Sequence, residues 1–152
     1  MTPFAARDVL PEFQDLVVKV RQIVEALPDL DLGQRVDGSP WEISCHTLCR
    51  GLADYFSLTC VDGHYAGYCQ HSWIVLEREI ILDPYPVALY GGPIICVAKG
   101  ASPNKHLYRD RRSNYILTGY EFLFLEQEPF LTHAQLVTAA VRETALKLDL
   151  KP

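Results

Sequence analysis

Cys45, His71 and Asp83 are residue types that together fit one chemistry, a thiol nucleophile served by a base and by a carboxylate that orients the base. An unperturbed thiol has a pKa of about 8.5, so only a few per cent is the reactive thiolate at neutral pH. Cys45 falls in the first turn of a helix that Ser44 can cap, where the macrodipole favours negative charge by roughly 0.3 to 1 kcal/mol. A pKa unit is worth about 1.36 kcal/mol, so the dipole moves the thiol by less than that and a neighbouring imidazolium is needed.

His71 is the imidazole best placed by the sequence. It opens an expected β-hairpin whose second strand ends at Asp83, with Glu77 and Arg78 near the turn. Centred on Glu77, the hairpin sets His71 directly opposite Asp83, on one face of the sheet. The carboxylate then fixes the ring tautomer and supports the imidazolium, leaving the other ring nitrogen to exchange a proton with the thiol.

Four features in order carry a resemblance. Cys45 opens a helix with a small residue four positions on, Val61-Asp62-Gly63 precedes a loop, and His71-Ser72-Trp73 and Ile81-Leu82-Asp83-Pro84 follow. This set resembles the transglutaminase-like branch of the papain-like cysteine enzymes over roughly residues 41 to 86. The resemblance implies a papain-like core with Cys45, His71 and Asp83 as catalytic group. Its reaction would form an acyl-enzyme from an amide, isopeptide or thioester, resolved by hydrolysis or acyl transfer, with a protein or peptide-like substrate and no cofactor. The Cys45 backbone N–H is the default oxyanion donor, because a helix start presents unpaired donors. Trp41 and Gln70 are candidates for a second donor, and Trp73, on the His71 side of its strand, is expected to shield the His–Asp pair or to pack in the core.

Other readings compete for the same residues. Cys49, one turn further into the helix, is the alternative nucleophile, although packing is its expected role. His46 follows Cys45 directly, and consecutive helical residues do not face each other, so it reads as a rim residue. His64, His106 and His133 carry no motif and read as solvated or capping. Cys45, Cys49, Cys69 and His71 offer four side chains of zinc-ligand type, but the spacing lacks close CxxC knuckles. A binding module with a degenerate site would use the basic loop from Lys99 to Arg112.

The elements that must hold these groups follow from periodicity. Phe13, Leu16, Val17, Val20, Val24 and Leu27 share one side of a helix from about 11 to 27, which Pro28 ends. A loop to Pro40 leads to the second helix, about 44 to 56, whose Cys45, Leu48, Cys49, Leu52 and Ala53 make a narrow stripe suited to close packing. β-prone runs follow at 58–61, 65–68, 71–76, 79–83 and 94–98, then a polar loop at 99–114 and a further strand at 120–126. Thr132 is the expected cap of a last helix reaching 148. The fold class expected is α+β, helices on an antiparallel sheet, in a single domain.

The bulk numbers agree with a globular protein: 152 residues, 49% hydrophobic and 22% charged. A formal charge of -5 disfavours phosphate backbones and anionic lipid, so neither nucleic acid nor membrane is an expected partner. The first residues lack a signal-peptide pattern, and five cysteines, an odd number, read as free thiols, so a cytoplasmic location is expected.

Overall fold

The computed structural model describes residues 11–66, 69–77, 80–84, 95–97, 108–110 and 122–152. It is an α+β structure in which three helices pack on an antiparallel sheet, as expected. After a short 3-10 turn at Pro11–Phe13, α1 runs Gln14–Ala26 and buries Val20, Ile23 and Val24. Helix α2 spans Cys45–Phe56, and Ser44 caps it by accepting a hydrogen bond from the Thr47 N–H at 3.2 Å. It ends at Ser57, which takes the left-handed conformation and returns its N–H to the last turn.

The strands are β1 (Thr59–Tyr65), β2 (Cys69–Val75), β3 (Ile81–Asp83), β4 (Ile95–Val97) and β5 (Tyr108–Asp110), in the order β4-β3-β2-β1-β5. Two expected runs, 58–61 and 65–68, prove to be one strand as far as Tyr65. Asp62-Gly63-His64 does not interrupt it, because Asp62 pairs with Ser72 and Gly63 with His71 across the ladder. The expected loop at 99–114 contains β5, which pairs with β1; its other residues lie outside those described.

The β2–β3 hairpin pairs Ile74 with Leu82 and Val75 with Ile81, so its centre is residue 78 and not Glu77. Moving the centre by one residue slides the register by two, which preserves the face on which each side chain lies. Continued one step, that register sets Asp83 beside Trp73 and makes His71 its diagonal neighbour.

The final helix, α3, spans Phe130–Lys147 and starts earlier than expected, with Pro129 at its N-cap. Thr132 lies inside its first turn, where its N–H and hydroxyl both bond the Glu128 carboxylate. The strand expected at 120–126 is a 3-10 turn, Leu123–Glu126, where it is described. Phe122-Leu123-Phe124-Leu125 has no polar alternation to hold it in a sheet, and the turn lets buried Phe122 and half-buried Phe124 both pack inward.

One core lies between the helices and the sheet, where Leu48, Cys49 and Leu52 of α2 meet Ile74 and Leu82 of the strands and Val137, Val141 and Ala145 of α3. A second cluster, Val61, Trp73 and Ile81, occupies alternate strand positions and therefore the opposite face. The narrow stripe of α2 is used as expected. A Cβ on Gly51 would stand 3.2 Å from Val141 Cγ2 and 3.3 Å from the Thr138 Cα, so α2 and α3 approach to backbone distance there. Gly51→Leu should therefore overpack this contact and lose about 1–3 kcal/mol in urea unfolding, with little change in the slope of the transition; an unchanged midpoint would contradict the close approach.

Candidate active site

Cys45 occupies the first position of α2 and is buried, with 6% of its surface exposed. Burial pushes the thiol up, but hydrogen bonding and charge from the His46 and His71 imidazoles outweigh it and bring the pKa down to about 6. For His71, burial acts downward, while the bonds and charges of Asp83 and Cys45 raise the ring to about 10. Thiol and imidazole thus exchange the usual order of their pKa values, and the neutral-pH form of the pair is thiolate and imidazolium.

His71 Nε2 lies 2.7 Å from Asp83 Oδ2. Asp83 is 2% exposed, so the carboxylate orients the ring with little competition from water. With Nε2 occupied, Nδ1 is left for the sulfur. The contact forms despite the staggered register because diagonal neighbours on one face remain within reach of long side chains. Gly63 stands opposite His71 on β1 and brings no side chain there, while Tyr65 of the same strand meets the His71 ring edge-on at 5.8 Å.

Tyr108, from β5, donates its hydroxyl to the same Asp83 oxygen at 2.8 Å. Burial and the Asp83 charge push the phenol upward, keeping it a proton donor. Its ring meets Trp73 edge-on at 5.2 Å and Tyr65 at 5.1 Å. Trp73 lies on the same side as His71, with ring centroids 5.9 Å apart, and at 2% exposure it walls the His71–Asp83 pair while packing with Val61 and Ile81.

On the helix side a second chain of polar groups appears. His46 Nδ1 is 2.6 Å from Ser72 Oγ, Ser72 donates to Asp62 Oδ1 at 2.6 Å, and Arg50 donates to Asp62 Oδ2 at 2.7 Å. Burial raises the Asp62 carboxyl, but the bonds from Arg50 and Ser72 prevail and hold it below its ordinary value. His46 is 7% exposed, which corrects its reading as a rim residue. Its ring extends across from α2 to β2, where the neighbouring strand position offers a hydroxyl.

Beside His46 opens a cleft of about 590 Å³, walled by Trp41, Phe124 and Phe130, with Arg35, Glu42, His64 and Gln70 also facing it. Trp41 packs edge-on against Phe130 and His133 at 5.6 and 5.4 Å, and Arg35 lies 4.5 Å above its ring. As an oxyanion candidate it is thus a cleft wall, while Gln70 is exposed on β2 next to His71 and faces the cleft. At the start of α2, Ser44 engages the Thr47 N–H, so the Cys45 and His46 N–H groups are those of the first turn that helix geometry leaves for a ligand.

The remaining expectations resolve individually. Cys49 is fully buried and donates to the Ser72 carbonyl at 3.3 Å, and burial holds its thiol well above the ordinary range, which removes it as a nucleophile. Burial likewise pushes Cys60 up to about 12. Cys69 is exposed, and among the described residues no group of three or more His, Cys, Asp or Glu side chains is arranged to hold a metal; the set Cys45, Cys49, Cys69 and His71 does not converge. His133, expected to be solvated or capping, is buried and bonds the Leu32 carbonyl through Nε2 at 2.7 Å. His64 is half-buried against Phe122 at 5.5 Å. His106 and most of the Lys99 to Arg112 loop lie outside the described residues.

Comparison with family models, with curated proteins and with solved structures found no match.

The inverted pair makes a direct expectation. Alkylation of Cys45 by iodoacetamide, followed site by site by mass spectrometry, should rise with pH to half its plateau near 6, and in His71→Ala the midpoint should move up toward about 8.5. Equal midpoints in the two proteins would contradict the pairing.

Proposed function

We propose that this chain is a cysteine-nucleophile enzyme that forms an acyl-enzyme at Cys45 from an amide, isopeptide or thioester carbonyl. What carries the reading is the convergence of Cys45, His71 and Asp83, with a lowered thiol and a raised imidazole sharing one proton. The ordered Cys, His-x-Trp and Asp-Pro set makes the transglutaminase-like branch of the papain-like enzymes the ancestry proposed here.

In this mechanism the thiolate attacks the carbonyl carbon, a C–S bond forms, and the carbonyl π pair moves to oxygen. The N–H of Cys45 stabilises that oxygen at the positive end of α2, with the Gln70 amide as second donor. Collapse expels the leaving group with its bonding pair as it takes the proton from His71. Water or an amine then attacks the thioester with loss of one proton, the C–S bond breaks, the thiolate is restored, and His71 regains a proton. Asp83 holds the His71 ring throughout, and Tyr108 holds Asp83.

The aromatic walls of the cleft and its facing polar groups suit a peptide-like acyl donor. A thiolate nucleophile persists only where oxidation is held off, so a cytoplasmic setting belongs to this reading. No helix among the described residues is long and apolar enough to cross a membrane.

The test is acylation by p-nitrophenyl acetate. Wild-type protein should gain one acetyl group on Cys45, cleavable by hydroxylamine, and Cys45→Ala should gain none there. Asp83→Asn keeps the shape but removes the charge behind the imidazolium, and should slow acylation about a hundredfold. Acylation spread over all thiols, or undiminished in Asp83→Asn, would sink the proposal.

A further inference from the structure

The mechanism just given uses one imidazole, yet the sulfur has two. His46 differs from His71 in what stands behind it and in what it faces. Behind it, the chain of donors has a defined direction. Asp62 is ionised and accepts from Arg50, so it must also accept the Ser72 proton; the Ser72 oxygen is then an acceptor for His46 Nδ1–H. This order places a proton on His46 Nδ1 and leaves Nε2, directed away from Ser72, as the ring nitrogen that exchanges a proton at the site. Asp62, Ser72 and His46 are all buried, so water does not readily scramble the sequence of bonds. In front of it, His46 and Ser44 are the cleft-lining residues next to Cys45, and the His46 ring also meets Phe124 of the cleft wall at 5.5 Å.

We infer that His46 is a second catalytic base, which takes the proton from the water or amine that enters through the cleft and resolves the acyl-enzyme, while His71 serves formation of that acyl-enzyme. The inference rests on the acyl-enzyme reading and assigns it a residue for its second half. In that half, the entering nucleophile forms a bond to the thioester carbon as its proton passes to His46 Nε2. The carbonyl π pair moves to oxygen and returns, and the C–S bond breaks with its electron pair remaining on Cys45 sulfur. The proton on His46 leaves to solvent through the cleft, and His71 takes back from solvent the one it gave to the first leaving group. Ser72 is a positioning residue, acting on the reaction only through the His46 ring, and Asp62 and Arg50 hold Ser72 in turn.

Two imidazoles around one sulfur separate the tasks in space. His71 is backed by a buried carboxylate and a phenol, pairs with the thiolate and gives its proton to the leaving group, whereas His46, and not His71, is among the residues that line the cleft through which the next nucleophile enters. His46 is backed by a hydroxyl, which transmits the influence of Asp62 without placing a carboxylate on the ring.

The test uses p-nitrophenyl acetate, whose good leaving group needs no acid and so isolates the second step. In His46→Gln, release of the first product should slow less than about tenfold, whereas steady-state turnover should fall about a hundredfold. Acetyl-Cys45 should accumulate in the intact mass spectrum, and hydroxylamine, which needs no base, should discharge it as fast as in wild type. Ser72→Ala should show the same accumulation with a smaller loss of turnover, about tenfold, and answers the question if His46→Gln does not fold. Equal slowing of both steps, or an acetyl-enzyme that decays at the wild-type rate in both variants, overturns the role of His46. A wild-type protein that never acquires acetyl on Cys45 instead overturns the acyl-enzyme reading, and this inference with it.

Discussion

A thiolate beside an imidazolium inside a protein is the arrangement on which everything else here depends. Both groups are more than nine-tenths buried, and burial alone would drive the thiol up and the imidazole down until each was neutral. The opposite order appears because every charge has a partner: the sulfur has two imidazoles and a helix start, and the His71 ring has the sulfur on one side and Asp83 on the other. Buried charges persist only when paired and hydrogen-bonded in this way, and removing one partner leaves the other uncompensated. Tyr108 extends the same logic outward, giving Asp83 a second donor.

The scaffold explains how such a site is held to tight geometry. Cys45 sits on a capped helix rather than on a loop, and that helix is wedged between the sheet and α3 by Leu48, Leu52 and the bare backbone at Gly51. Cys49, one turn on, ties the helix to β2 through the Ser72 carbonyl, while Ser72 and His71 point to opposite faces of that strand. A single dipeptide therefore serves both polar chains, His71 toward Asp83 and Ser72 toward Asp62. The Asp62–Arg50 pair spans β1 and α2 and sets the helix against the sheet as well as orienting the hydroxyl.

Much of this was legible in the residues and some was not, for identifiable reasons. The α2 boundaries followed from Ser44 and the apolar stripe, because cap and periodicity agree there. The meeting of His71 and Asp83 survived a register error, since a slip of two positions leaves the faces alike. Tyr108 was hidden because β5 is only three residues long and lies in a polar stretch, so nothing in its local pattern announced a strand. His46 was misplaced by the rule that adjacent helical residues diverge, which holds for their Cα–Cβ directions but not for a ring that reaches sideways to a strand. The 122–125 segment failed for a third reason: a short, wholly apolar run has no period, and only tertiary packing decides between strand and turn.

Nitrogen-15 NMR of the imidazole rings at pH 8 tests the central pairing most directly, because it reads the protonation of each ring nitrogen without chemistry at the sulfur. His71 should carry protons on both ring nitrogens at that pH, well above ordinary histidine titration, and should become largely neutral when Cys45 is replaced by alanine. A His71 ring that is neutral at pH 8 in the wild-type protein, with or without the thiol, would contradict the account.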